Sequence, residues 1–379
     1  MKIAILHEML IKLGWAEKVV ETFINLFPEA DLYTLIYDEK KVGKIFPKSK
    51  INKEVFNLKS QKIYNLTKKQ RFCLPFMSSS IESIDFSSYD IVLCSSSWFA
   101  HGAITKPETK FIVYYHSPAR YMWDWTNEYK NDLWLNSGWK KYILKPLINK
   151  LFLNLRIWDV IASNRVDISL ANSNNTANRI KKYYKKDSIL LYPPVETNRF
   201  AKKLWNTKYD LNFKKYYIII SALTEFKKID IAIKAFNNLE ENLIIVWAWE
   251  YRDELEKMVK KQNIVFVWPK YDDELVYLVQ NSMWLIFPWE EDFGIVPIEV
   301  MAAWKPVFAL KAWWLTETVL PWITWDFFTD KNGMDFIENF KNFHKNNLEE
   351  KYLEDNCKKQ ASIFSKELFE EKIKEIIKQ

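Results

Sequence analysis

Glycine is scarce in this chain: 379 residues contain only 6. At average usage of about 7%, a chain of this length would hold roughly 25. A protein built from strands and helices joined by tight turns needs glycine for positive φ and for close backbone approach. Cysteine is also sparse. Cys73, Cys94 and Cys357 are scattered and odd in number, which excludes a disulfide framework and a cysteine metal motif and predicts a reducing cytoplasm. No apolar run of about 18 residues occurs, so no transmembrane helix is expected. Met1-Lys2 leads directly into a strand-like segment, so no signal peptide is expected. There is no D-x-D metal motif and no G-x-G-x-x-G. The latter argues against a dinucleotide oxidoreductase.

What is present is an ordinary globular balance, 49% hydrophobic and 27% charged, with a net charge of +7 and 18 tryptophans. The length predicts two domains. Apolar strand-like runs occur at Lys2–Leu6, Tyr89–Cys94, Lys110–Tyr115 and Asp167–Ser173. They resume at Tyr216–Ser221, Leu243–Val246, Ile264–Val267, Leu285–Phe287 and Lys305–Leu310. Helical patterns lie between them, which predicts α/β architecture with parallel sheets. Pro193-Pro194 opens a stiff linker reaching about Asn206. The first domain is therefore placed at 1–195 and the second at 206–360. Two stretches, Lys59–Phe72 and Lys130–Ile157, mix basic and aromatic residues as interfacial helices do. With the positive charge they make an anionic membrane surface an expected partner. No nucleic-acid module is visible.

The chemistry concentrates at Pro288–Glu299, where Glu291 and Glu299 bracket a strand-to-helix turn. A helix N-terminus offers N–H groups and partial positive charge to a phosphate, and carboxylates accept hydrogen bonds from sugar hydroxyls. The string E-x7-E, with Phe293-Gly294 after the first acid and Met301-Ala302-Ala303 after the second, resembles the signature of retaining family-4 glycosyltransferases of the GT-B fold. The resemblance continues through Lys305-Pro306-Val307 and Leu315–Val319. It also covers Leu223–Asp230 and the loop Gly14–Glu17. The string His116-Ser117-Pro118-Ala119-Arg120-Tyr121-Met122-Trp123-Asp124 resembles a subgroup that includes O-antigen and capsule mannosyltransferases.

The resemblance implies two Rossmann-like, doubly wound domains facing each other across a cleft, with the final helix, about 361–379, crossing back to the first domain. It implies Lys227 on the donor diphosphate, helped by Lys228, because Ala222 stands where many members carry arginine. Glu291 would contact the donor sugar and Glu299 the ribose, with the backbone of Phe293, Gly294 and Ile295 beside sugar and phosphates. Gly14 and Trp15 would border the diphosphate. His116 would lie at the reacting centre, with Arg120 and Tyr121 on the acceptor side. No metal and no cofactor is implied. The donor would be a nucleotide sugar, GDP-mannose first, and the acceptor a lipid-linked or cell-surface glycan, reached from the cytoplasm at the inner face of the membrane.

The pattern departs from the family in one systematic way: tryptophan often stands where glycine is expected. The positions are Trp15, Trp247, Trp249, Trp268, Trp289, Trp304, Trp313, Trp314, Trp322 and Trp325. With the glycine shortage, this predicts that many of these tryptophans stand for glycine, through a codon such as UGA that the source organism reads as glycine. Trp123 and Trp158 stand where the family itself has tryptophan. Two rival functions share the fold: a sugar-nucleotide epimerase, and a glycan-binding protein on a decayed scaffold whose cleft the indoles fill.

Overall fold

The computed structural model describes residues 1–124, 126, 140–202, 204, 213–246, 251–268, 273–291, 293–311, 315–320, 325–345 and 350–379. The chain divides into two compact units, Met1–Tyr192 and Pro193–Gln379. Each is built on a six-stranded sheet whose paired strands all run parallel. Parallel neighbours need long crossovers, and helices supply many of them.

In the first unit the strands are β1 (Ile3–Leu10), β2 (Asp31–Tyr37), β3 (Ile91–Ser96), β4 (Lys110–Tyr115), β5 (Ile168–Ala171) and β6 (Ile189–Leu190). Their order is β2-β1-β3-β4-β5-β6. In the second they are β7 (Tyr217–Ile220), β8 (Leu243–Val246), β9 (Ile264–Val267), β10 (Leu285–Phe287), β11 (Val307–Leu310) and β12 (Trp325–Phe328). That order is β12-β11-β10-β7-β8-β9. Strands covered on both faces read as continuous apolar runs. Leu243, Ile244, Ile245 and Val246 are all fully buried, each contributing about 1.5–3 kcal/mol. Beneath the second sheet, Phe340 meets Tyr217, Phe236 and Trp284 edge-on, at centroid distances of 4.9, 5.6 and 5.4 Å.

Several boundaries differ from the sequence reading. β2, β6 and β12 were not anticipated: β6 has two residues, and β2 hides the polar Thr34 among its buried side chains. The helix carrying Glu299 begins at Ile295. Pro297 falls in its first turn, where its missing N–H costs nothing. Glu317 lies inside the four-residue helix Leu315–Thr318. The stiff segment after Pro193 contains a helix, Thr197–Ala201. The Gln280 amide holds it, donating to the Phe200 and Lys202 carbonyls at 2.8 Å each. The terminal helix, Lys366–Lys378, falls in the second unit. There the backbone of Val195 accepts from the Lys366 N–H and donates to the Phe364 carbonyl.

Candidate functional site

In an open parallel sheet, ligands bind beyond the carboxyl ends of the strands where the strand order reverses. In the second unit that point lies between β7 and β10. The loop after β7 carries Lys227 and the loop after β10 carries Glu291, and the two side chains meet, Nζ to Oε1, at 3.0 Å. Trp289 closes the cluster. Its buried indole lies 3.8 Å from the Phe287 ring, under Lys227 Nζ at 4.8 Å, and donates through Nε1 to Glu291 Oε2 at 3.3 Å. The next helix, Ile295–Ala302, has Gly294 as N-cap and, among the described residues, no side-chain cap; the first N–H groups of a helix have no partner within it. Phe293 and Ile295 are buried beside it, and Glu299 is half-buried on it. Lys228 is exposed, with left-handed φ of 47°, as N-cap of the helix Ile229–Phe236. Lys227 and Glu291 thus come together, while Glu299 sits further along the helix that follows the Glu291 loop. Asp292, Trp247, Trp249, Trp313, Trp314 and Trp322 lie outside the described residues.

In the first unit the order reverses between β1 and β3. Gly14 caps the helix Trp15–Leu26, and its N–H donates to Glu17 Oε2 at 2.8 Å. Trp15 is 41% exposed at the first helical position. His116 follows β4, half-buried, and its Nε2 lies 2.8 Å from Ser95 Oγ. Burial, reinforced by the charge of His7, pushes its pKa down to about 3. His7, in β1, is pushed the other way: hydrogen bonding and attraction from Glu17 outweigh the opposing burial.

The string after His116 is gripped by its neighbours. Trp123 stacks on Tyr183 at 4.7 Å and donates to Asp159 Oδ2 at 2.9 Å. Asp124 pairs with Arg179 at 3.0 Å and accepts from the Tyr183 hydroxyl. Arg179 also donates to Ser117 Oγ at 3.1 Å. Asp159, fully buried, faces His101 Nε2 at 3.4 Å, and desolvation holds its carboxyl above the usual range. Arg120 and Tyr121 are half-buried, Tyr121 against Trp98 at 4.0 Å. Beneath them, Glu8 accepts from the backbone N–H groups of Ser97 and Ala100 at 2.8 and 3.4 Å, fixing the turn after β3. Sequence reasoning assigned no role to His7, Ser95, Asp159 or Arg179. The available signal was histidine scarcity: of four in the chain, His7, His101 and His116 all gather at this edge.

The His116 shift makes a prediction. Its folded pKa of about 3 lies below the ordinary 6.5, so between those values the unfolded chain binds more protons. The stability from neutral His116 is present above pH 6.5 and lost as pH falls toward 3. Urea midpoints measured from pH 7 to pH 4 should therefore fall more steeply for the native protein than for His116→Gln. His7, raised, acts oppositely: its contribution is present below pH 6.5 and lost as pH rises through its folded value.

Residues 202–361 match the family model described as glycosyl transferases group 1. The chain is 24% identical to the GDP-Man:Man(3)GlcNAc(2)-PP-Dol alpha-1,2-mannosyltransferase of Candida glabrata, over 48% of this chain and 40% of that protein. It is 26% identical to the alpha-1,3/1,6-mannosyltransferase ALG2 of Dictyostelium discoideum, over 46% and 52%. The chain spans about half the length of these curated relatives. Anabaena HepE, solved in complex with UDP, superposes with a TM-score of 0.67 at 14% identity, covering 100% of both chains. The chain has the GT-B fold, its residues 202–361 are similar to the group 1 glycosyl transferases, and mannosyltransferases are among the proteins it resembles.

Proposed function

We propose that the protein is a retaining glycosyltransferase that moves a hexose, mannose from GDP-mannose, to a lipid-linked or cell-surface glycan. The observation that carries this is the meeting of Lys227 and Glu291 at the strand-order reversal of the second unit, beside the start of the helix Ile295–Ala302. Lys227 would neutralise the leaving diphosphate, the largest charge to develop, and the helix N-terminus would assist. Lys228 would stand by as a second cation. Glu291 would orient the donor sugar and Glu299 the ribose. From the first unit, Gly14 and position 15 would border the diphosphate, His116 would contact a sugar hydroxyl, and Arg120 and Tyr121 would hold the acceptor. The leaving phosphate would itself help deprotonate the acceptor on the front face. The proposal uses no metal and no cofactor. Mannose is favoured by the mannosyltransferase relatives and the His116–Asp124 string. The epimerase alternative gains no support from these relatives. A panel of labelled GDP- and UDP-sugars, with and without glycan acceptors, offered to protein carrying glycine at positions 15, 289, 304, 313 and 314, tests the reading. Acceptor-dependent transfer from GDP-mannose supports it, and acceptor-independent epimerisation overturns it.

Glycine at many tryptophan positions is part of this proposal. Trp304 has φ of 65°, in the left-handed region that favours glycine. It follows the helix Ile295–Ala302 in a Schellman ending: the Trp304 N–H donates to Met301 O at 2.9 Å and the Lys305 N–H to Val300 O at 3.1 Å. That position is ordinarily glycine. Trp123, Trp158 and Trp284, by contrast, are built in. Trp158 donates to Glu82 at 2.9 Å, and its ring leaves no room for a Cβ on Gly102. Trp284 meets Phe343 edge-on at 4.5 Å. Trp304→Gly should raise the unfolding free energy by about 1 kcal/mol despite removing a large side chain, as read from urea denaturation. UGG codons at positions 289 and 304 in the gene would end the glycine reading.

A lipid-linked acceptor calls for membrane contact. Among the described residues no helix is long and apolar enough to cross a membrane. The helix Lys140–Ser163 exposes Leu147, Leu153, Ile157 and Ile161. Elsewhere in the first unit, Leu66, 86% exposed, and Phe72 stand out among Lys68, Lys69 and Arg71. Exposed apolar side chains flanked by cations suit an anionic interface. The protein should co-sediment with vesicles containing anionic lipid, less so at high salt. Leu66→Ser with Phe72→Ser should weaken that binding at least tenfold, since each buried CH₂ is worth about 0.8 kcal/mol and about two suffice for that factor.

A further inference from the structure

We propose that His7 and Ser95 are positioning residues that fix His116 as a neutral imidazole with its proton on Nδ1, making it a hydrogen-bond donor toward substrate and not a general base. The parallel register that pairs β1 with β3 sets His7 opposite Ser95. His7 Nδ1 lies 3.1 Å from the Ser95 carbonyl oxygen and 3.1 Å from Ser95 Oγ. A carbonyl oxygen only accepts, so His7 Nδ1 carries a proton. Ser95 Oγ therefore faces an N–H on that side. Ser95 is fully buried, and among the described residues its hydroxyl meets only His7 and His116. A buried hydroxyl spends its proton on a partner, and the one acceptor left is His116 Nε2, at 2.8 Å. Nε2 accepts, so the ring proton of neutral His116 sits on Nδ1.

The chain of contacts extends outward from there. His7 Nε2 faces Glu17 Oε1 at 3.8 Å, and Glu17 accepts from the Gly14 N–H at 2.8 Å. The loop at Gly14 and the ring of His116 are thus joined by Glu17, His7 and Ser95, all three buried. A cation at His7 and desolvation both resist a second proton on His116, in line with the downward shift already given. His116 Nδ1 has no partner among the described residues, which leaves it to an incoming hydroxyl or phosphate oxygen. That last step rests on the placement of His116 at the reacting sugar under the proposed function.

The test is ¹⁵N NMR of the full chain with labelled histidine at pH 7, resonances assigned by His→Gln variants, beside transfer assays. The expected result is an unprotonated Nε2 and a protonated Nδ1 for His116. Ser95→Ala should release that preference and lower kcat at least tenfold, with the donor KM within about twofold. His7→Asn, whose amide can still donate to Ser95, should keep the tautomer, and His7→Leu should lose it. Protonated Nε2 in the native protein, or a tautomer unmoved by Ser95→Ala, overturns the proposal while leaving any observed sugar transfer standing. A released tautomer with unchanged kcat also overturns it, because His116 would then lie away from the chemistry. If protein carrying glycine at positions 15, 289, 304, 313 and 314 transfers no sugar from any donor, the glycosyltransferase reading fails; the relay to His116 is then judged by the NMR result alone.

Discussion

In protein carrying glycine at positions 15, 289, 304, 313 and 314, Lys227→Ala should lower kcat/KM for sugar transfer a hundred- to a thousandfold, about 3–4 kcal/mol. The charge on the departing diphosphate grows toward the transition state, so kcat should fall further than the donor KM rises. A lysine ammonium acts as a point charge with three donors, and the planar guanidinium of Lys227→Arg would restore only part of the rate. Folding should survive the change. The Lys227–Glu291 pair is part-buried, its side chains 12% and 31% exposed, so its loss should cost between the about 0–1 kcal/mol of an exposed pair and the about 3–5 kcal/mol of a buried one. A protein that folds normally and loses less than threefold in rate would remove Lys227 from the chemistry.

Trp289→Gly should have the second large effect, with opposite signs for stability and binding. The indole is buried against Phe287 and engages both Lys227 and Glu291. Removing it should cost the ligand-free protein about 3–5 kcal/mol, as deletion of a core aromatic does. The same change frees the lysine and the carboxylate for a nucleotide sugar. Saturating GDP-mannose should then raise the melting temperature of the variant and leave the tryptophan protein unmoved, since only a ligand that binds the native state stabilises it. The glycan-binding rival predicts no rescue by any nucleotide sugar in either protein.

How much of this was legible depends on how each feature is encoded. The buried strands were, because β4, β7, β8 and β10 are short apolar runs in a parallel sheet. β2 was not, because burial of Thr34 breaks the run, and the two residues of β6 carry no period to detect. Lys227 and Glu291 could be picked out by resemblance, yet their 3.0 Å contact joins loops 64 residues apart, and only strand order brings them together. The His7–Ser95–His116 chain was invisible for the same reason. It depends on register across β1 and β3, whose members lie 88 residues apart. Asp159 and Arg179 read as ordinary polar positions on helices until their partners in the His116–Asp124 string are known. Trp304 could be suspected from composition, but the physical argument came from its φ.

The central claim is that the second unit holds the diphosphate of a nucleotide sugar between Lys227 and the start of the helix Ile295–Ala302. It is tested most directly by calorimetric titration of GDP-mannose and GDP into protein carrying glycine at positions 15, 289, 304, 313 and 314, with and without Lys227→Ala. The account predicts saturable binding of both ligands, weakened at least tenfold by loss of the lysine. Absence of binding by any GDP- or UDP-linked ligand, or binding that ignores Lys227→Ala, would contradict it.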